Sequence, residues 1–340
     1  MSNQLSIENE LSPRLVAFLR EQLPTARNLH IEGLHRVGAG LSRENWPFDA
    51  VWHADGSEVR RKLILRRDPV GSVLETDRRL EFETLRRLQA SGVPTPQAHW
   101  VDDTGEWLDR PVIIMERYQG VCDYFVLSGG TLGFPPEHRE RLARRFCEIL
   151  ASIHMLDWRS AGFGDLFEDP ETDAADAAID EWEAYLNRQL LEPMPELVEI
   201  LTWLRRRAPR SQATVLVHGD YKPGNSLIRD GKVEVILDWE TAHLGDPLED
   251  IGWITNPVRE AEHLIAGVWE RPQLFAHYQQ LTGFEVDEEA VYFWNVFANF
   301  KLAAILLTGV RSLCEGRSDR VYSYASTQGM VSRLLAMVGV

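Results

Sequence analysis

The sequence predicts an α+β fold in two lobes: a small antiparallel sheet with one helix, then a larger, mainly helical lobe. Three observations lead there. Strand-like runs meet at a two-residue hairpin turn, Asp55-Gly56, in the first third of the chain. Apolar residues at helical spacing dominate from Pro136 onward. At 340 residues the chain exceeds one ordinary hydrophobic core, so a division near Gly120 is expected, with residues 1–118 in one lobe and 119–340 in the other.

Taken in order, Ser12-Pro13 has the pattern of a helix start. Leu34 to Val37 reads as a strand, Gly38 to Asn45 as a small-residue turn, and Phe48 to His53 as the next strand. In that turn Gly40 lets backbone N–H groups approach an anion with no Cβ in the way, and the Ser42 hydroxyl adds a donor. From Arg61 to Arg67 alternation sets Leu63 and Leu65 on one face, Ile64 and Arg66 on the other.

Leu74 to Ala90 has helical periodicity, with Leu74, Leu85 and Leu88 on one side. Glu81 falls on the same stripe, so its carboxylate points toward the core. An unpaired charge there would cost several kcal/mol, which predicts an ion pair with Arg66 or a nearby basic group. Glu75 and Glu83 belong to the wet side. A Val93-Pro94-Thr95-Pro96 loop, a short run at His99 to Val101 and a turn at Asp102 to Gly105 lead to the apolar strand Val112 to Met115, followed by Glu116-Arg117-Tyr118-Gln119-Gly120.

The chemistry concentrates further on. Val215 to Val217 is an apolar run into the corner His218-Gly219-Asp220, and Pro223-Gly224 keeps the next residues in a loop. Ser226 to Arg229 and Lys232 to Leu237 are strand-like and joined by Asp230-Gly231, a favoured hairpin turn. Simple pairing across that turn sets Asn225 opposite Ile236, with Asp238 two residues beyond the partner, so an amide oxygen and a carboxylate can share one hard cation. A proton-accepting carboxylate (Asp220), an ammonium directed at phosphate (Lys222) and that amide and carboxylate form a working set for phosphoryl transfer.

This block resembles the catalytic and metal loops of the aminoglycoside phosphotransferase family, a branch of the protein-kinase-like superfamily. The Leu65-Arg66-Arg67-Asp68 strand end, the Pro94-Thr95-Pro96 loop, the Leu150 to His154 helix and the Trp-rich larger lobe are most similar to the branch related to the kinase-like domain of acyl-CoA dehydrogenase family proteins. The resemblance implies a protein-kinase-like two-lobe fold. It implies that Asp220 accepts the proton of a substrate hydroxyl, that Asn225 and Asp238 hold magnesium, and that Lys222 lies near the transferring phosphate. The turn with Gly40 and Ser42 would cover the phosphates of ATP, and the hinge with Glu116 and Tyr118 would meet the adenine. Arg66 stands where the superfamily has a lysine on the α- and β-phosphates, with Glu81 as its orienting partner; a guanidinium fork can bind phosphate oxygens in pairs.

GTP remains open beside ATP as the nucleotide triphosphate. The acceptor would be a hydroxyl on a small molecule: an amino sugar, a hydroxyacyl thioester, or a choline-like or amino-acid alcohol. A catalytically idle nucleotide-binding module with the same fold is the alternative, but such a module needs no Asp220. Protein phosphorylation lacks a platform, because only a short stretch separates Asp238 from Gly245-Asp246-Pro247.

The formal net charge of −16, from 52 acidic against 36 basic residues, argues against nucleic acid and anionic membrane surfaces as partners. Oligomeric state is left open. Cys122, Cys147 and Cys314 match no metal-ligand spacing and read as reduced thiols, and no signal-peptide pattern opens the chain, so a cytoplasmic location is expected. Pro136 to Trp158, Asp180 to Leu191 and Glu196 to Arg206 read as helices, and Asp165 to Asp176 as a solvated acidic loop. Val291 to Val310 is apolar enough for a membrane span, but Asn295, Asn299 and Lys301 interrupt it and point to a buried helix. His154 and His218 are expected in structural roles, Asp246 as a helix cap with Pro247 at the first position. The resemblance expects the Gly245-Asp246-Pro247 pattern to brace the catalytic loop.

Overall fold

The computed structural model describes residues 2–37, 43–68, 77–171, 173–317 and 324–340. Its first part is a five-stranded antiparallel sheet of β1 (Arg27–Glu32), β2 (Glu44–Ala54), β3 (Ser57–Arg67), β4 (Ala98–Asp102) and β5 (Val112–Glu116), in the order β1-β2-β3-β5-β4. The β2–β3 hairpin closes at Asp55-Gly56, whose φ angles of 51° and 79° match the twist of the flanking strands.

Alternation along β3 divides the sheet's two faces. Leu63 and Leu65 pack with Trp46, Phe48, Val112 and Ile114 under helix α1 (Ser2–Gln22), which contributes Leu11, Leu15, Phe18 and Leu19. Ile64 and Arg66 face the other way, where Ile113 and Met115 join Phe82, Leu85 and Leu88 of helix α2 (Arg78–Leu88). Asp77 caps α2 by accepting the N–H groups of Arg79 and Leu80.

Three expectations for this part are corrected. Two helices, not one, flank the sheet among the described residues, and α1 contains Ser12 and Pro13 in its interior. Its buried residues recur at helical spacing on both sides of that point, so packing overrides the local start signal. The strand expected at Leu34 to Val37 is reduced to a single bridge from Val37 to Asn45, and the edge strand lies earlier, at β1. Edge position explains why it was missed, since only Leu29 of β1 is buried. Gly40, Ser42, Leu74 and Glu75 lie outside the described residues.

The second part is mainly helical: α3 (Pro136–His154), α4 (Ala174–Gln189), α5 (Pro195–Arg207), then, after the strands of the site, α6 (Pro247–Ile254), α7 (Glu260–His263), α8 (Arg271–Thr282), α9 (Glu288–Cys314) and α10 (Tyr324–Val338). α3 ends four residues before Trp158, and α4 begins six before Asp180, taking up the end of the acidic stretch. α9 is long and apolar enough to cross a membrane, yet 72% of its apolar window is buried inside the protein. Its polar interruptions form a seam with α6 and the turn that follows it. Asn295 donates to the Gly252 carbonyl at 2.6 Å, and Asn299 donates to Asn256 Oδ1 at 3.1 Å. The three cysteines are free, Cys147 buried among apolar neighbours.

Candidate active site

Strand β6 (Val215–Val217) is fully buried and pairs with β9 (His243–Gly245), so the chain leaves the core at His218 with little freedom. Gly219 follows with φ 79°, and a Cβ there would lie 2.7 Å from the Thr241 carbonyl oxygen. Only glycine allows this corner to approach the segment after Asp238 so closely. The corner is then pinned from below. Asp250 of α6 accepts the N–H of His218 at 2.8 Å and of Gly219 at 2.9 Å, and His154 Nε2 lies 3.1 Å from the same carboxylate. His154 Nδ1 in turn meets the Tyr278 hydroxyl at 2.6 Å.

The brace therefore comes from Asp250, one turn into α6. Asp246 instead caps α6 through Leu248 N–H and accepts the Ser211 hydroxyl. His218 has the expected structural role: burial lowers its pKa, its Nε2 is 3.1 Å from the Leu237 carbonyl, and its Nδ1 accepts the Asp220 N–H at 3.3 Å. A neutral imidazole satisfies both bonds.

Asp220 uses its two oxygens differently. Oδ2 takes Lys222 Nζ at 2.5 Å and Asn225 Nδ2 at 2.8 Å, while Oδ1 is buried with no hydrogen-bond partner among the described residues. Asn225 closes the short turn Pro223–Asn225 and leads into β7 (Ser226–Arg229), which pairs with β8 (Lys232–Ile236). The register differs from simple pairing. A bulge on β8 sets Ser226 opposite Ile236, so Asn225 lies opposite Leu237, whose N–H donates to the Asn225 carbonyl at 2.7 Å. Asp238 is thus one residue beyond the partner. It adopts φ 66°, an uncommon conformation for a residue with a side chain and one that concentrates at functional sites.

The sheet supplies the cations opposite. Arg66 donates to Glu81 Oε1 at 3.3 Å and also pairs with Asp238, so the expected Arg66–Glu81 pair is present and extended to the ribbon. Burial works against charge here, but the pairing wins: Asp238 is held below its ordinary carboxylate range and Arg66 above its ordinary value. Sequence reasoning missed a second tie beside it. Glu240 pairs with Arg43, at the start of β2, and with Arg78 of α2 at 3.3 Å; Arg78 also pairs with Glu81 and, at 3.1 Å, with Asp68. Arg78 lies three residues before Glu81, and that spacing was the available signal.

At the hinge Glu116 donates its N–H to the Gln97 carbonyl at 2.8 Å, and its carboxylate lies 2.9 Å from His99 Nε2. Beyond it Val121 and Ile228 exchange two backbone bonds of 3.0 Å, so the connecting segment docks on β7.

These groups surround one cleft of about 790 Å³, lined by Arg66, Glu116, Tyr118, Asp220, Lys222, Asn225 and Asp238. Among the described residues no cluster of three or more His, Cys, Asp or Glu is arranged to hold a metal by itself. One carboxylate and one amide remain, the small hard-oxygen set that suits a magnesium ion sharing its coordination with phosphates and water.

A small antiparallel sheet set against a helical lobe, with this corner and ribbon in the cleft between them, is the protein-kinase-like fold. The chain belongs to the APH phosphotransferase enzyme family, whose sequence profile matches residues 43–288. Acyl-CoA dehydrogenase family member 10 of Mus musculus is 25% identical over 305 residues, 79% of this chain and 28% of that protein. Probable acyl-CoA dehydrogenase IBR3 of Arabidopsis thaliana is 26% identical over 284 residues, 76% of this chain and 34% of that protein. The chain spans about a third or less of the length of these relatives.

Among solved structures, a candidate aminoglycoside phosphotransferase from Ralstonia eutropha matches with a TM-score of 0.68 at 20% identity, covering 96% of this chain and 95% of that chain. A thermostable mutant of aminoglycoside phosphotransferase APH(4)-Ia, in a ternary complex with AMP-PNP and hygromycin B, matches with 0.60 at 16% identity, covering 96% and 97%. Both likenesses concern the fold.

Proposed function

We propose that the chain is an ATP-dependent, magnesium-assisted phosphotransferase that moves the γ-phosphoryl group to a hydroxyl of a small molecule. The observation that carries this reading is the division of labour on Asp220. One oxygen is fixed by Lys222 and Asn225, and the other is left without a partner among the described residues, in a cleft that also holds Asp238 and Arg66. A buried carboxylate oxygen without a donor is costly unless a ligand completes it, and a substrate hydroxyl does so.

In this mechanism Asp220 Oδ1 aligns the hydroxyl and takes its proton as the new O–P bond forms and the bond to the β–γ bridging oxygen breaks, leaving ADP. Lys222 offsets the charge of the carboxylate and lies beside the incoming phosphoryl group. Arg66 keeps one arm of its fork on Glu81 and turns the other to phosphate oxygens. Asn225 and Asp238 would hold magnesium, which when bound offsets charge on the β- and γ-phosphates. Tyr118 and the backbone near Glu116 would flank the base. Catalysis on this scheme is placement and electrostatics.

The test compares the protein with Asp220→Ala in ADP release and in nucleotide binding, using ATP and GTP in turn. Loss of a general base is expected to lower transfer by about 10²- to 10⁴-fold while Mg-nucleotide binding persists. Equal turnover in both forms would remove Asp220 from the mechanism.

A further inference from the structure

Lys301 occupies an unusual position. It sits on α9 with its side chain almost fully buried, yet it lines the same cleft as Asp220. Its ammonium lies 5.1, 5.5 and 5.9 Å from the ring centres of Trp182, Trp253 and Phe297. Three aromatic faces at that range form the kind of cage that recognises an alkylammonium ligand. Here the chain's own ammonium fills it. Lys301 also donates to Glu249 at 3.0 Å and reaches the Gly219 carbonyl at 3.5 Å, one residue from the catalytic carboxylate.

The charges around the cage have a definite sign. Glu249 is shared between Lys301 and His243, whose Nε2 lies 3.0 Å away, and His243 is raised to about 9, since Glu249 outweighs the effect of burial. Two cations therefore face one carboxylate. Arg259, itself paired with Glu262 at 3.3 Å, lies over the Trp253 ring at 4.6 Å and lines the cleft as well. Among the described residues each carboxylate lining the cleft already has a partner from the chain: Asp220 has Lys222, Asp238 has Arg66, Glu240 has Arg43 and Arg78, and Glu116 faces His99. A polyamine would find no carboxylate to itself, and an alkylammonium would meet a filled cage. Leu302 and Ile305, on the same helix as Lys301, add an apolar wall.

We propose that Lys301 is a specificity-determining residue. By filling the aromatic cage beside Asp220, it bars cationic acceptors and reserves the helical half of the cleft for alcohols that carry an anionic group on an apolar body. This rests on the phosphotransfer reading and narrows its acceptor: amino sugars and choline-like alcohols are disfavoured by like charge and by occupancy.

The experiment uses the full chain with Mg-ATP and measures ADP release for four probe sets: hydroxycarboxylates of graded length, uncharged alcohols of matching length, choline and kanamycin. Binding of each probe is measured in parallel on protein loaded with Mg-AMP-PNP. The expected result is a preference of about tenfold or more in kcat/KM for the hydroxycarboxylates over the matched alcohols, with no turnover of choline or kanamycin.

The informative variant is Lys301→Met combined with Glu249→Gln, which removes the charge without leaving a buried carboxylate unpaired. It should lose most of the preference for the anionic probes and begin to bind choline, with Mg-ATP affinity unchanged. Lys301→Arg with Glu249 intact should keep the preference. The proposal is overturned if the unaltered protein uses choline or kanamycin as well as the hydroxycarboxylates, if it neither binds nor turns over any hydroxycarboxylate, or if the double variant keeps the preference. Failure to bind Mg-ATP, or ADP release that survives Asp220→Ala, would instead strike the phosphotransfer reading.

Discussion

At the scale of single residues, Arg66 has the clearest energetic signature. Arg66 reaches both Glu81 and Asp238, all three largely out of solvent, so Arg66→Ala would leave two buried carboxylates with less compensation. Breaking such an arrangement typically costs about 3–5 kcal/mol, and urea unfolding of the variant should read a loss of that order. Arg66→Lys keeps the charge but not the fork, and is expected to recover part of the loss while weakening nucleotide affinity. His243 and Glu249 give a pH signature. His243 rises from 6.5 to about 9, so its contribution is complete below about pH 6.5 and lost as pH climbs through about 9, a change of roughly 3 kcal/mol. Glu249, held down to about 2 because Lys301 and His243 overcome burial, contributes above about pH 4.5 and loses its share as pH falls toward about 2. Urea midpoints measured from pH 6 to 10 should fall at the alkaline end, and Glu249→Gln should flatten that fall. Of these partners only Glu81 was legible for Arg66, because helical periodicity sets its carboxylate on the core-facing stripe. Asp238 and the group His243, Glu249 and Lys301 were not, since which side chains meet across different elements carries no local signal.

At the scale of elements, the His218-Gly219-Asp220 corner, the ribbon and the hairpin turns were legible because each is local. Two-residue turns fix which strands pair, and an apolar run ending at His-Gly-Asp fixes where the chain leaves the core. The bulge on β8 was not legible, since the extra residue carries no composition signal, and it moved Asn225 by one position relative to its partner. β1 and the part of α1 before Ser12 were hidden for a related reason: the helix and the strand depend for burial on each other and on the sheet face between them. The brace on α6 provides the element-scale prediction. Asp250→Ala would leave the N–H groups of His218 and Gly219 and the ring of His154 without their acceptor, at about 1–3 kcal/mol per buried group. Thermal unfolding should show a large drop, and transfer should fall further than substrate binding because the corner that carries Asp220 is displaced. Unchanged melting in Asp250→Ala would show that the corner is held by other means.

At the scale of the whole molecule, the two-lobe plan followed from length and from the switch between strand-like and helical periodicity, whereas the ties across the cleft did not. Arg66 joins β3 to the ribbon, and Arg43 and Arg78 join the sheet and α2 to Glu240. Glu240→Gln should loosen the Arg43 and Arg78 ties together, lowering kcat with a rise in KM for nucleotide, measured at saturating acceptor. The ties also bear on binding kinetics. A catalyst whose lobes rest apart forfeits part of its ligand affinity to the conformational shift, in proportion to how seldom the competent form is populated. Here Arg43 and Arg78 already hold the sheet and α2 against Glu240, whereas the Arg66–Asp238 tie has to open to free both groups for the nucleotide. A stopped-flow trace should therefore show fast association followed by one slower step that reports this opening.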